Sequence, residues 1–381
     1  MSTIPLSVLD LAPIPDGSTA GQALRNTIDL AQRVEDFGYH RYWVAEHHFN
    51  PGVASSSPGV LIGLIASATT RIRVGSGAVL AGNTTASTVL EQFATIDAVH
   101  PGRIDLGLGR SGQRRAEVLA SVGVGVEPKP APAKTARQER VVNGLLLPAP
   151  ADISHLLSSP KARIHDQLLR QEGAQSPVFA QQVDDIQAFI AGTYRAEDGR
   201  PVHLVPGEGA GLEVWLLGSS GGESAQLAGA LGLPFAANYH VAPSAVIEAV
   251  EAYRSAFVPS ANLANPYVVV SADVVVAETD DRATELASPY ATWVRSIRSG
   301  AGAIPYPSPN QVAVSDWTDE DWALVDDRVR TQFVGSPSRV ADKLRVLQSA
   351  TGADELLVTS VTHDHSDRVR SHELLATEWL G

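Results

Sequence analysis

The chain of 381 residues contains no cysteine and a single methionine. Without thiols it has no disulfide framework, no thiolate nucleophile and no thiolate metal site. Basic side chains are the minority, 29 against 42 acidic, and the formal net charge is −13. A field of that sign repels phosphate backbones and anionic bilayers, and no basic stripe interrupts it, so neither nucleic acid nor a membrane is expected as partner. A local arginine can still outweigh that field for a small anion. Long apolar runs are missing as well: the longest, around Gly59 to Ala68, is about half a membrane span. The opening Met1-Ser2-Thr3-Ile4-Pro5 has no basic segment leading into an apolar one, so no signal peptide and a cytoplasmic location are expected. What is present is globular material, 44% hydrophobic and 19% charged, enough for a large core.

Periodicity orders this material into alternating strands and helices. Strands are predicted at Leu6 to Leu9, Tyr42 to Ala45, Ile72 to Val74, Ile104 to Leu108, Val214 to Leu217, Phe235 to Ala237, Tyr267 to Val276 and Glu355 to Thr359. Helical spacing fills the gaps. It is clearest from Ala20 to Phe37, where Leu24, Ile28, Ala31 and Val34 share a face that Gly38 ends, and it recurs at Asp280 to Ser296, near Asp319 to Phe333 and from Ser338 to Ala350. Eight strands alternating with helices predict an α/β fold, a (β/α)₈ TIM barrel in one domain over residues 1–381. The rival is an open doubly wound sheet, but Leu11-Ala12-Pro13-Ile14-Pro15 stands where its glycine fingerprint would follow the first strand. Two excursions break the rhythm, at about 111–177 and about 297–318. The first holds Pro128-Lys129-Pro130-Ala131-Pro132 and helical patches near Ala136 to Leu147 and Ala162 to Gln171. Each lies between a strand and its helix, hence at the catalytic face; a small separate domain from Arg115 to Pro177 is the alternative for the first.

A barrel gathers the residues just beyond its strands around one mouth, which places Asp10, Glu46, His47, His48, Gly77, Arg110, Gly218, His240 and Asp364 together. Glu46-His47-His48 is the densest polar cluster. Neighbours on extended chain point apart and the spacing fits no standard zinc pattern, so no metal site is expected. Either histidine reads as a packing residue or as an imidazole beside a reacting oxygen, able to relay a proton. Gly75-Ser76-Gly77-Ala78 reads as tight packing between layers or as backbone open to a flat ring. Gly218-Ser219-Ser220-Gly221-Gly222 follows a strand and opens a helix, which makes a phosphate cradle or plain helix-capping residues. Arg110 suits the same phosphate, or pairs with an acid such as Asp10.

Taken in order, Tyr42-Trp43-Val44-Ala45-Glu46-His47-His48, Val74-Gly75-Ser76-Gly77, His100-Pro101-Gly102-Arg103-Ile104-Asp105-Leu106-Gly107-Leu108-Gly109-Arg110 and Trp215-Leu216-Leu217-Gly218-Ser219-Ser220 resemble the bacterial luciferase-like flavin-dependent oxidoreductases. Leu6-Ser7-Val8-Leu9-Asp10, Ala230 to Ala236 and Ser366 to Leu375 extend the resemblance over most of the chain. It implies reduced FMN received from a separate NAD(P)H:flavin reductase, O₂ as co-substrate, a C4a-(hydro)peroxyflavin that oxygenates a small organic substrate, and a homodimer. It further implies Gly77 and Ala78 against the isoalloxazine through a non-proline cis peptide. Arg110, Ser219 and Ser220, with Gly218 and Gly221, would take the phosphate, and His240 would also serve the cofactor. His47 matches the catalytic imidazole, with Glu46 and His48 beside it. F420-dependent hydride transfer on the same fold, a non-catalytic flavin-binding protein and a metal-dependent hydrolase on the same barrel are the alternatives. Two departures stand at the mouth: Asn83-Thr84-Thr85-Ala86 lacks the family's His and Pro, and Gly109-Arg110-Ser111-Gly112-Gln113-Arg114-Arg115 replaces Gly-Arg-Ala-Pro-Gly-Thr. They lean the expected substrate towards a polar or heterocyclic one.

Overall fold

Every second residue of a strand faces the same way, and here that parity separates two cores. The computed structural model describes residues 4–110, 138–152, 156, 160–169, 171, 173–174, 176–312 and 314–381. Strands β1 (Leu6–Asp10), β2 (Arg41–Val44), β3 (Arg73–Ser76), β4 (Ile104–Gly109), β5 (Glu213–Gly218), β6 (Phe235–Asn238), β7 (Val268–Val276) and β8 (Glu355–Thr359) pair in parallel, each with the next. Pairing of β8 with β1 closes the ring, so the chain forms the (β/α)₈ barrel and not an open sheet. Helices α1 (Ala20–Asp36), α2 (Pro58–Ala68), α3 (Ala86–Val99), α4 (Phe179–Ile190), α5 (Glu223–Ala230), α6 (Val246–Ala256), α7 (Pro337–Thr351) and α8 (His365–Leu380) surround it.

Outward residues such as Val8, Tyr42, Val74, Leu106, Leu216, Val270 and Leu356 join the helices in the main core. Inward residues form a separate plug of Leu9, Trp43, Trp215, Leu217, Ala236, Val269 and Leu357. At its centre Trp43 meets Trp215 edge-on, with ring centroids 5.1 Å apart. One layer below, at the N-terminal ends of the strands, the filling is ionic. Arg41 donates to Asp105 at 2.9 Å, to Glu213 at 2.8 Å and to Glu355 at 3.1 Å. Arg73 and the Trp43 indole donate to Asp105 as well, and Tyr267 donates to Glu355.

The two excursions differ from expectation. Residues 111–137, including Ser111 to Arg115 and the Pro128 to Pro132 run, lie outside the described residues. The patch expected as helix near Ala136 to Leu147 contains instead an antiparallel hairpin, Arg140–Val142 with Leu145–Leu147. Its turn is Asn143-Gly144, both at positive φ (50° and 83°), the pair such a two-residue turn demands. The second patch is helical, Pro160–Leu169. The helix expected from Asp280 to Ser296 is split around Pro289 into Asp280–Ala287 and Tyr290–Arg298, and neither is the barrel helix. That place belongs to α7, so the second excursion runs over 277–336 and is longer than 297–318. The helix expected near Asp319 to Phe333 resolves into Asp319–Ala323 and Asp326–Thr331, then a strand, Phe333–Gly335, that pairs with β7.

Arg41→Met should remove the counter-charge of buried Asp105 and Glu355 and destabilise the fold by about 3–5 kcal/mol. Urea unfolding measures this, and adding Glu355→Gln should restore part of the loss.

Candidate functional site

Beyond β2 the chain turns over the mouth, and Glu46 ties that turn to the next strand. One carboxylate oxygen of Glu46 lies 2.7 Å from His48 Nε2, and the other accepts the backbone N–H of Leu80 at 2.8 Å. Leu80 follows the Gly77–Ala78 peptide, which is cis. His47 points its buried Nδ1 at no partner among the described residues. Burial is the main force on its imidazole and pushes the pKa down to about 4, against the pull of Glu46, so the ring is neutral at neutral pH.

Above Arg73 and Asp105, the inward positions of β3 and β4 and the residue beyond β3 are glycines: Gly75, Gly77, Gly107 and Gly109. A Cβ on Gly75 would sit 2.5 Å from Asp105, and one on Gly77 would sit 2.8 Å from Leu9. The packing reading of this small-residue run holds at Gly75 and Gly77, whose missing Cβ positions are filled by Asp105, Trp43 and Leu9. Asn83-Thr84-Thr85-Ala86, where the family's His and Pro are absent, opens α3, and Thr85 caps it by accepting from Thr88 N–H.

On the other flank, Arg110 lies 2.6 Å from Glu223, the first residue of α5. The pairing expected as an alternative, with Asp10, does not form. Asp10 faces outward from β1, where it accepts from Thr27, Tyr42 and Arg368, far from the mouth's polar groups. Burial opposes its charge, but these partners hold its carboxyl below the usual range. Gly218 to Gly222 and the start of α5 thus lie beside Arg110, and no side chain caps this helix. Gly221 is required for packing, since a Cβ would come within 3.1 Å of Ala252 and Glu248. Ser219 and Ser220 are half-buried in the same loop. Asp364 at the end of β8 is 67% exposed and pairs with neighbouring His363, so it does not join the mouth.

The third flank was only partly foreseen. His240, beyond β6, places Nδ1 2.5 Å from Ser271 Oγ on β7. Burial pushes its pKa down to about 4, with Arg328 and His47 adding to the effect and Asp273 opposing it. His47 and His240, 193 positions apart in sequence (47 and 240), thus lie near each other at the barrel mouth. Asp273, two residues beyond Ser271 on the same face of β7, accepts from Tyr290 and, at 3.0 Å, from Arg328.

With this geometry in hand, comparison with known proteins is decisive. The family model for luciferase-like monooxygenases matches residues 4–139 and 187–355. The chain belongs to the luciferase-like monooxygenase family. A luciferase-like monooxygenase of Escherichia coli (strain K12) is 35% identical over 98% of this chain and 96% of its own length. The N-acetyl-S-alkylcysteine monooxygenase of Bacillus subtilis (strain 168) is 48% identical over 28% of this chain and 32% of its own. The crystal structure of apo-MsnO8, 30% identical, superimposes with a TM-score of 0.74 over 99% of this chain and 98% of that one.

As a luciferase-like monooxygenase the protein is an oxidoreductase, and the family resemblance read from its strand-end blocks is borne out. Ser271, Asp273, Tyr290, Tyr306 and Arg328 were missed. A signal for the first two exists: they are the polar residues, spaced by two, in the otherwise apolar strand VVVSADVVV. Among the described residues no group of acidic or histidine side chains is arranged to hold a metal ion, and no helix is long and apolar enough to cross a membrane.

His47 and His240 are neutral in the folded state and protonate near pH 6.5 once unfolded, so the unfolded chain binds more protons below that pH. Stability should be fully present above pH 6.5 and fall towards pH 4, each imidazole adding a slope of up to about 1.4 kcal/mol per pH unit. Denaturation of His240→Gln across this range should show a shallower loss than wild type.

Proposed function

We propose that this luciferase-like enzyme is an FMN-dependent monooxygenase that receives reduced FMN from a separate NAD(P)H:flavin reductase and uses O₂ to oxygenate a small polar molecule. One observation carries the reading: a run of glycines leads to Gly77–Ala78 beside Glu46 and His47, while Arg110 stands at an uncapped helix start beyond the adjoining strand. A flat ring system needs close backbone approach, and a terminal phosphate needs unspent N–H groups and a guanidinium. The residues therefore suit FMN. In reduced form it supplies the electrons that activate O₂.

The protein's own part follows from its geometry. Arg110, Ser219 and Ser220, with the backbone of Gly218 and Gly221, hold the phosphate; Glu223 keeps the guanidinium in place until then. Gly77 and Ala78 back the ring, and Glu46 fixes their loop through Leu80 while it orients His48. Neutral His47, with an unspent Nδ1, takes or holds a proton at that nitrogen beside the reacting oxygen. His240, set by Ser271, closes the opposite side of the cofactor cavity. The Trp43–Trp215 layer beneath keeps water from entering through the barrel. The stretch shared with the N-acetyl-S-alkylcysteine monooxygenase supports a polar thioether as the first substrate to try. A homodimer suits α2, which exposes Val60 and Leu64 at 66% and 52%. A cytoplasmic site of action accords with reliance on a reductase.

The test is binding and turnover with reduced FMN, riboflavin and F420 in parallel. Tight FMN binding with substrate-dependent O₂ consumption is expected; tight F420 binding with hydride transfer and no O₂ uptake would replace this reading, and bound flavin without turnover would make the protein a carrier. Arg110→Ala should weaken FMN by about 10- to 100-fold and leave riboflavin nearly unchanged, because only FMN carries the phosphate. His47→Ala should lower oxygenated product by about 100-fold while FMN affinity holds, and unchanged product would remove His47 from the chemistry.

A further inference from the structure

The excursion after β7 collects hydrogen-bond donors that the fold does not use. The Tyr306 hydroxyl, the Trp293 indole N–H and Arg328 Nε are buried, and none has a partner among the described residues. Tyr306 and Trp293 are 0% and 3% exposed. A buried donor left unpaired costs about 1–3 kcal/mol, and folded proteins keep such groups rare, so a concentration of them needs a reason. These donors are also neighbours. The Trp293 ring lies 6.0 Å from that of Tyr306 and 6.3 Å from that of Tyr290. Tyr290 donates to Asp273, and Arg328 donates through Nη2 to both Asp273 and the Tyr290 oxygen, at 3.0 and 2.8 Å. Arg328 Nη1 makes no hydrogen bond among the described residues.

Position supplies the second argument. In a ring of eight strands β3 and β7 are four apart, hence opposite. The peptide Gly77–Ala78 tops β3 and Asp273 lies near the top of β7, so the two face each other across the mouth. Leu11 and Val361, just beyond β1 and β8, and Val53 in the loop after β2 join the same buried cluster as Tyr290, Trp293 and Tyr306. A molecule spanning the mouth therefore runs from the β3 side to the unspent donors, which this buried apolar cluster holds in place.

Resting on the flavin reading above, we propose that Arg328, with Tyr306 and Trp293, forms the subsite for the carboxylate of an amphiphilic substrate whose oxygenated end lies towards β3. Asp273 and Tyr290 hold the guanidinium by one nitrogen and leave Nε and Nη1 to the ligand. A carboxylate oxygen at Nε or at Nη1 accepts a charge-assisted hydrogen bond, which a neutral carbonyl there does not match. Tyr306 and Trp293 add neutral donors to the remaining lone pairs.

The experiment measures binding of N-acetyl-S-butylcysteine and of its carboxamide to the full-length protein, apo and FMN-loaded, by calorimetry, with FMN affinity measured on the same preparations. The acid should bind about 10- to 100-fold more tightly than the amide, and Arg328→Gln should bring the ratio close to one. Tyr306→Phe deletes only an unpartnered hydroxyl, so its melting temperature should equal or exceed that of wild type while acid affinity falls several-fold. Absence of acid binding at millimolar concentration, equal binding of acid and amide, or an undiminished preference in both variants overturns the proposal. Failure of the wild type to bind FMN overturns the flavin reading alone, because the acid preference is read in the apo protein too.

Discussion

The ion cluster around Arg41 at the floor of the barrel is the constraint on which the rest of the interior depends. A closed ring of eight strands has to fill its own centre, and at the N-terminal end it does so with charge: Arg41 and Arg73 against Asp105, Glu213 and Glu355. Buried charges survive only when paired and hydrogen-bonded, so each of these side chains dictates the position of the others across five strands. Register follows, because a slip of one residue on any strand would turn a charged group into the apolar shell between strands and helices. The Trp43 indole, donating to Asp105 at 2.8 Å, links this floor to the apolar layer above it, and Arg41 stacks over the Trp215 ring at 4.7 Å.

That apolar layer explains the electrostatics of the mouth. It separates the floor's charges from the upper cavity and gives His47 and His240 a poorly solvating base. Burial is the leading cause in both cases, and both rings stay neutral. Neutral imidazoles are the form that can accept a proton at neutral pH. The same shielding raises the worth of any hydrogen bond made above the layer, including those a phosphate or carboxylate would accept. Outside the ring, Asp10 does a separate job: it joins β1, β2, α1 and α8 through Tyr42, Thr27 and Arg368 and so fastens the last helix to the first strand.

The barrel was legible in the sequence because its outward strand residues are continuous hydrophobic runs separated by helices of clear period. Glu46, His47, Arg110 and His240 were legible because each directly follows a strand, and a barrel brings strand ends together by construction. Asp10 obeys the same rule yet faces away. It is the last residue of its strand, in the same parity as outward Leu6 and Val8, so counting from the strand's core rather than from its end would have placed it correctly. Asp364 fails for another reason: it begins a helix and turns to solvent. The hairpin near Val142 was hidden by apolar spacing that suits either structure, although Asn143-Gly144 is a turn signal that marks it. Tyr290, Tyr306 and Arg328 left no local mark, because their meeting depends on the path of a long excursion that no period describes.

This last group changes how the mouth is understood. In the proposed reading the polar residues at the strand ends serve a cofactor, and nothing in them selects a substrate. The excursion over 277–336 adds what they lack, since it brings Tyr290 and Arg328 onto Asp273 and anchors Tyr306 by backbone hydrogen bonds with Ile14 and Asp16 beyond β1. It is held at both sides of the cavity by these contacts, so its donors are fixed with the precision of the barrel itself. In the proposed subsite a ligand would pair these donors and remove the cost of leaving them unsatisfied. In the proposed reading, cofactor and substrate recognition are divided between two parts of one chain: the strand-end loops of the barrel for the first, and the long β7 excursion for the second.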